Sequence, residues 1–297
     1  MAALVRPQLM LVEAVVVNFN SGQAVQSCVA SLFGSTVVPR VKVIDNASDD
    51  RSAEQLRQLY GSHPGIEFLF NARNEGFAAA VNQGIRDSES PFTLIINPDC
   101  RVESAALESL LAVMDQHPRA ALAGPRVLDS KGRTERASLR RLPSPWRSLM
   151  TVTGLSRLER WFPGMAGVVV PHHRWPDDPA VVEAVSGACM LIRRAALEEV
   201  GLLDEDYGLH CEDLDLMQRL RDHGWEIMIV PAAKAHHEQG VSSRSRPFWV
   251  HRQKHMGMAR YFRKFQAERY PWPVRALVLT GIWMRYLLLL PLVFIRK

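Results

Sequence analysis

"AVVVNFNSGQ", residues 14–23, decides how this chain folds. Val15, Val16 and Val17 form an unbroken β-branched run, the pattern of a strand buried on both faces. Asn18-Phe19-Asn20-Ser21-Gly22 then brings the chain out through a polar turn, and a helix-like stretch follows at about 22–33. The same succession recurs. Apolar runs at 11–17, 41–44, 66–70 and 92–96 read as strands, with helix-like stretches at about 22–33, 51–60, 76–87 and 103–116. Strand–helix alternation at this spacing predicts an α/β fold, a parallel sheet joined by right-handed crossovers. Ligands in such sheets bind beyond the carboxyl ends of the strands. The segments to inspect are therefore Asn18 to Gly22, Asp45 to Asp50, Asn71 to Gly76, and Asn97-Pro98-Asp99. Turn chemistry accounts for any one Asn or Asp there; their presence at all four strand ends points to a site.

The chain has 297 residues, 47% hydrophobic and 23% charged, which excludes a disordered or collagen-like protein and leaves room for one large domain with an appendage, or two modest ones. Its net charge of +5 is unevenly placed: from Arg244 to Lys297 there are twelve Lys and Arg against Glu268 alone. Such a section suits an anionic partner: nucleic acid, a phospholipid surface or a diphosphate. Cys28, Cys100, Cys189 and Cys211 show no C-x-x-C spacing, which argues against structural zinc or a disulfide framework and for a reducing compartment. Met1 to Val12 lacks a basic-then-apolar run and a cleavage site, so the expected location is cytoplasmic.

From about 140 to 180 the periodicity dissolves into a Pro-, Trp- and Arg-rich stretch, expected to be a functional loop or lid. Order returns at Val181–Arg194. A helix is predicted from Cys211 to about His223, stopped by Gly224, and "WEIMIV" reads as a strand closed by Pro231. The tail Ala276–Ile295 is mostly apolar but holds Arg285 and Pro291. Twenty such residues are long enough to span a bilayer, yet a central arginine costs roughly 2.5–3.5 kcal/mol on insertion scales. Lying on an anionic surface, with Trp272, Trp283 and Tyr286 at headgroup depth, is the preferred reading over spanning; packing on the chain's own domain is the third.

Three segments carry chemistry. Asp99 ends a strand in "FTLIINPDC", two residues after Asn97, where a carboxylate can hold a hard divalent cation against phosphate, although N-P-D is also a common turn. "HCEDLDLMQRL" crowds Glu212, Asp213 and Asp215 at a helix start, either as dipole-favoured capping or with one of them as a general base. "AHHEQGVSS" offers His236 and His237 without H-E-x-x-H spacing; they either complete an Asp-based metal site or make structural contacts only. No G-x-x-x-x-G-K-[ST], G-x-G-x-x-G or G-x-S-x-G occurs, so phosphate-loop kinases, dinucleotide folds and nucleophile-elbow hydrolases lose their markers.

Taken in order, "VVVNFNSG", "VKVIDNASDD", "NARNEGFAAAVNQGI", "LIINPDC", "VSGACMLIRR", "DEDYGLHCEDLDLMQRLRDHGWEIMIVP" and "HHEQGVSS" span roughly residues 12 to 243, and in this register the chain resembles the family 2 inverting glycosyltransferases. Among them it is most similar to bacterial rhamnosyltransferases of cell-envelope polysaccharide synthesis. The resemblance implies a GT-A fold: a mostly parallel central sheet flanked by helices over residues 1–243, with a basic, apolar helical segment at 244–297 associated with the membrane. It implies that Asn18 and Phe19, where relatives have Thr-Tyr, line the nucleotide pocket, and that Asp45 accepts from a uracil or thymine ring. Asn74 and Gly76 would begin a helix whose free N–H groups face the diphosphate. Asp99 and His237 would hold Mg²⁺ or Mn²⁺, with His236 in reserve and Asn97 in the place of the first acid of a D-x-D motif. Ser186, Gly187 and Glu212 would shape the donor and acceptor site, and Asp213 would be the base.

The implied reaction is a single in-line displacement that inverts the anomeric configuration. The implied partners are a nucleoside-diphosphate sugar donor, with dTDP-rhamnose as first candidate and a UDP-hexose or galactofuranose donor as alternatives, and a lipid-linked polyprenyl diphosphate saccharide acceptor. The implied place is the inner face of the cell membrane, peripherally bound. A sugar nucleotidyltransferase is the rival from another class, but it would carry a Gly-rich basic loop after the first strand, and "NFNSGQAVQ" has no Lys or Arg. A non-catalytic binding module would tolerate Asp213→Asn. A nucleic-acid partner fits less well, because the basic residues flank a long apolar run rather than interleaved aromatics.

Overall fold

The computed structural model describes residues 11–238 and 246–295. The opening stretch is strand β1 (Val12–Asn18), every residue of which is buried. Its side chains alternate between two apolar layers: Val12, Ala14 and Val16 join one core, Val15 and Val17 the other. A strand that is apolar on both faces belongs at the middle of a covered sheet. β1 accordingly lies between β2 (Arg40–Asp45) and β4 (Phe92–Ile96), parallel to both, and β3 (Ile66–Phe70) extends this half beyond β2. The crossovers are α1 (Ala24–Phe33), α2 (Ser52–Tyr60) and α3 (Phe77–Arg86), matching the predicted alternation.

Beyond β4 the direction changes. After β5 (Cys100–Val102) and α4 (Ala106–Gln116) come β6 (Ala120–Leu128), then the short pair β7 (Leu139–Arg140) and β9 (Ala184–Val185). Between that pair lie α5 (Pro145–Thr153) and β8 (Ala180–Val182). β10 (Cys189–Arg193) inserts antiparallel between β4 and β6, followed by α6 (Arg194–Val200), α7 (Glu212–Asp222) and β11 (Glu226–His237). Among the described residues the main sheet has nine strands in the order β3-β2-β1-β4-β10-β6-β11-β5, with β8 also on β11.

Two expectations are corrected. Pro231 does not close its strand: β11 runs through it to His237, with a register shift between Val230 and Lys234. A proline, lacking an N–H for the ladder, is tolerated at such a bulge. The 140–180 stretch is not without structure. Ser144 caps α5, accepting from the Arg147 N–H, and Pro145 begins the helix rather than breaking it. Buried Glu159 takes Arg141 at 2.6 Å, and Glu183 takes Arg147 at 2.6 Å.

Two helices close the described chain. α8 (Pro247–Phe265) buries His255, Ala259, Tyr261 and Phe262, and Tyr261 belongs to the second core layer. α9 (Trp272–Ile295) packs along α8. Its segment Trp272–Val293, of mean hydropathy 1.9, is long and apolar enough to cross a membrane, and none of its most apolar stretch is buried.

Candidate active site

The parallel register sets Asn18 beside Asp45 at the carboxyl ends of β1 and β2. Asn18, expected on the pocket wall, is fully enclosed and its amide is spent inside the protein. Its Nδ2 donates to Asp45 Oδ1 at 2.8 Å, to Ser52 Oγ at 2.9 Å and to Ser48 Oγ at 3.1 Å, while its Oδ1 accepts from the Ser21 hydroxyl. The Ser48 N–H and hydroxyl also donate to Asp45, at 3.1 and 2.6 Å. Asn18 thus orients Asp45. Phe19 is half-buried, with the Arg246 guanidinium 5.1 Å above its ring.

Asn46, a residue that sequence reasoning passed over, ties this edge to the next loop. It donates to Asn74 Oδ1 at 3.1 Å and to the Gly76 carbonyl at 3.2 Å, and accepts from Asn71 and the Glu75 N–H. The Gly76 N–H is taken by Asn74 Oδ1 at 3.0 Å. The N–H groups of Glu75 and Gly76 are therefore already bonded, contrary to the expectation of free donors at that point. Gly76 caps α3 at φ +90°, a region that glycine enters without penalty, and a Cβ there would stand 3.6 Å from the Gly208 carbonyl. That approach sets the loop beside the segment leading into α7.

Asp99 and His237 meet although 138 positions separate them. The route is β11's continuation past Pro231, which pairs His237 with Cys100 of β5. His237 Nε2 lies 3.2 Å from Asp99 Oδ1, and Nδ1 lies 3.1 Å from buried Glu135 Oε1. Burial works against a charged ring, but the bonds to Asp99 and Glu135 prevail and raise the His237 pKa to about 10. His236 points the other way, as strand alternation requires, onto Glu103 at 3.1 Å; it cannot stand in for His237. Asn97 is half-buried, and its N–H reaches the Ala188 carbonyl at 2.9 Å.

A divalent cation fits this donor set. Asp99 offers a hard carboxylate, and His237, once a cation displaces its Nε2 proton, offers a nitrogen whose orientation Glu135 fixes from behind, the usual arrangement behind a metal-bound histidine. No cluster of three His, Cys, Asp or Glu ligands occurs among the described residues. Such a cation would therefore need oxygens from a phosphate ligand or water, the manner in which Mg²⁺-type ions bind. Residues 240–243, the rest of the histidine motif, lie outside the described residues.

The acids stand in the first turn of α7. His210 and Cys211, at φ +69° and +75°, turn the chain sharply into α7, a conformation costly for residues with a Cβ. Glu212 is buried with Oε2 unpartnered; burial and the neighbouring Asp213 raise its pKa to about 8. Asp213 takes the opposite course. Burial works against its charge, but Arg140 Nη2 lies 2.5 Å from Oδ2 and the Leu214 N–H 2.8 Å from Oδ1, and its pKa falls below the usual carboxylate range. Burial thus favours the proton on Glu212, while Arg140 favours the charge on Asp213. Arg140 also donates to the Val185 carbonyl at 2.6 Å.

Gly187 completes this side. A Cβ there would fall 2.7 Å from Asp213 Oδ2, so only glycine lets the carboxylate rest on the backbone. Ser186 is buried, its hydroxyl accepting from the Ala188 N–H at 3.3 Å. The Asn97–Ala188 hydrogen bond and the close approaches of Gly187 to Asp213 and of Gly76 to Gly208 tie the end of β4, the start of β10 and the loop before α3 to the segment around α7's start. Arg140, Glu135 and Arg246 went unread in the sequence, because no local pattern marks them.

The model of the family described as "Glycosyl transferase family 2" matches residues 13–201. N-acetylglucosaminyl-diphospho-decaprenol L-rhamnosyltransferase of Mycobacterium tuberculosis is 29% identical over 255 residues, 77% of this chain and 76% of that protein. Among solved structures, the mannosyltransferase PcManGT from Pyrobaculum calidifontis, in complex with GDP-Man and Mn²⁺, superposes with a TM-score of 0.58 at 16% identity over 92% of this chain and 69% of its own. GalNAc-T7 with UDP, GalNAc and Mn²⁺ gives 0.59 at 16% identity over 76% of this chain, which spans only 43% of it. These likenesses show the GT-A fold, and with the match over residues 13–201 they lead to one conclusion: the chain belongs to glycosyl transferase family 2.

Proposed function

We propose that the chain is an inverting, metal-dependent glycosyltransferase that moves a sugar from a nucleoside diphosphate to a hydroxyl of a lipid-linked saccharide. L-Rhamnose from dTDP-rhamnose is the first donor to test, since the mycobacterial relative is by name a rhamnosyltransferase. The carrying observation is Asp213 in the first turn of α7, its carboxylate packed on Gly187 and held by Arg140 at 2.5 Å. Asp213 takes the acceptor hydroxyl's proton, displacing Arg140 as its partner. The oxygen forms its bond to the anomeric carbon from the face opposite the leaving group. The carbon–oxygen bond to the diphosphate breaks, and its electron pair leaves with the nucleoside diphosphate. Asp45, held by Asn18 and Ser48, accepts from the base, and Phe19 with Arg246 flanks it. Asp99 and His237 would hold Mg²⁺ or Mn²⁺, which supplies charge to offset that developing on the leaving phosphate.

The test is a donor screen with membrane extract and Mg²⁺ or Mn²⁺, comparing the wild type with Asp213→Asn. Loss of the base is expected to cost about 10²- to 10⁴-fold in turnover with nucleotide binding kept. Consumption of no sugar nucleotide, or an unchanged rate in the variant, refutes the reading.

Residues 244–297 we assign to the cytoplasmic membrane surface, beside the catalytic unit of residues 1–243. Arg285, halfway along α9, bonds to His255 of α8 at 3.0 Å. If α9 spanned the bilayer, this bond would draw α8 to hydrocarbon depth with Arg252 and Lys254, neither of which has an acid partner among the described residues. Lying in the interface avoids that. Alkaline carbonate washing should release the protein from membranes; retention in the pellet argues for a span.

A further inference from the structure

Two cations at the seam between α8, α9 and the loop before α7 lack an acid partner. Arg285 is the lone charge amid the apolar run from Ala276 to Ile295, and it is turned inward onto His255 rather than outward. His255 is fully buried, and its Nδ1 lies 2.8 Å from the His251 carbonyl, a bond in which the ring must donate. Nε2 is then the acceptor of the Arg285 N–H, and a neutral acceptor leaves the guanidinium charge uncompensated. His251 stacks on Tyr286 at 4.9 Å and reaches the Tyr286 carbonyl at 3.0 Å, which locks α9 in this register on α8.

Lys254 is the neighbour of His255 and makes no hydrogen bond or ion pair among the described residues. Every Asp and Glu of the chain lies within those residues, so no carboxylate elsewhere completes either cation. Lys254 remains open to solvent while hemmed in by protein, and that enclosure, with Arg285 nearby, lowers its pKa. It also lies close enough to His210 and Cys211 to act on both. The packing explains the closeness: a Cβ at Gly257, one turn along α8, would meet the His210 carbonyl at 2.6 Å. Lys254 therefore lies beside the His210–Cys211 turn that leads into Asp213, and Arg285, on the apolar helix, lies near enough to act on it.

Uncompensated positive charge held in place beside a catalytic carboxylate and an exposed apolar helix is complementary to one ligand chemistry, an anionic group joining a sugar to a lipid chain. We propose that Lys254 and Arg285 form the subsite for the diphosphate of the lipid-linked acceptor, holding it one sugar away from Asp213 while its chain follows α9. This rests on the glycosyltransferase reading above and names the residues that recognise the acceptor.

Full-length protein is titrated with phosphatidylcholine vesicles carrying a polyprenyl diphosphate, and with vesicles matched in surface charge by phosphatidylglycerol. The wild type prefers the diphosphate vesicles. Lys254→Gln and Arg285→Gln each reduce that preference at least about tenfold, as expected for a lost charge-assisted contact, and dTDP or UDP binding is retained. Equal binding to the phosphatidylglycerol vesicles by the wild type overturns the proposal, since a generic anionic surface then suffices. An undiminished preference in both variants also overturns it. Should a Gln variant lose nucleotide binding, and so its fold, Lys254→Arg and Arg285→Lys decide: charge kept with preference kept supports the subsite, and preference lost overturns it. A diphosphate preference in a protein that transfers no sugar refutes the transferase reading alone.

Discussion

Replacing Gly187 by alanine tests the catalytic geometry at its tightest point. The added Cβ would stand 2.7 Å from Asp213 Oδ2, 3.0 Å from its Cβ and 3.1 Å from its Cγ. Ordinary contact begins near 3.4 Å, so the carboxylate must retreat by about 0.7 Å. It has little room to do so, because Arg140 holds Oδ2 at 2.5 Å and the Leu214 N–H holds Oδ1 at 2.8 Å. Overpacking of this kind costs about 1–3 kcal/mol, and a displacement near 1 Å at a reacting group costs up to about 10²-fold in rate. We expect kcat to fall roughly 10- to 100-fold, with the dissociation constant of the nucleotide unchanged, since Asp45 and Asn18 lie on other strands. The assay is steady-state transfer with donor and acceptor varied separately, beside a nucleotide titration. Gly164→Ala is the matched control, because a Cβ there meets nothing within 4 Å. A kcat within about twofold of wild type would refute the placement of Asp213 as the base, since a reacting group cannot move that far unnoticed.

Arg140→Gln removes the cation that depresses the Asp213 pKa. The active form is the carboxylate, so activity is lost as pH falls through that pKa, and the variant's acid limb moves to higher pH; an unmoved limb in the kcat–pH profile contradicts the assigned base. The same depressed carboxylate contributes stability above its unfolded-state pKa that is lost on acidification, so the variant's melting temperature should vary less with pH on the acid side. Glu135→Gln takes away the carboxylate that orients His237. Mn²⁺ affinity of the nucleotide-bound protein, read by titration with detection of free Mn²⁺ by electron paramagnetic resonance, should fall about 10- to 100-fold. Unchanged affinity removes His237 from the metal site.

What the sequence by itself determined is whatever local pattern encodes. The β-branched run of Val15–Val17, the polar edges after four strands and the recurrence of helix-like stretches between them specify a covered parallel sheet, because side-chain period and turn chemistry act over a few residues. Gly224 at φ +82° ends α7 as its position predicts, for the same reason. Local signals misled where an irregularity was absorbed by pairing: Pro231 reads as a strand end, yet a bulge carries β11 onward to set His237 against Asp99. Asn18 reads as a pocket residue from its place at a strand end, but the neighbouring strand and turn claim its amide.

Only the tertiary structure decided which charges meet. Arg140 reaches Asp213 across 73 positions, and Glu135 reaches His237 across 102. Arg140 comes from β7, paired with β9 outside the main sheet, and His237 is carried toward Glu135 by the continuation of β11 past its register shift; the sequence has no period for either. Which acid of Glu212-Asp213 favours the charge was equally beyond the sequence, since it depends on the guanidinium of Arg140, brought in by β7. Arg285 makes the contrast plain: in the sequence it is an interruption of an apolar helix, and in the folded chain it faces His255. Hydrophobic pattern determines which elements form; the long-range field that selects a base, a metal ligand or an anion site exists only once those elements have packed.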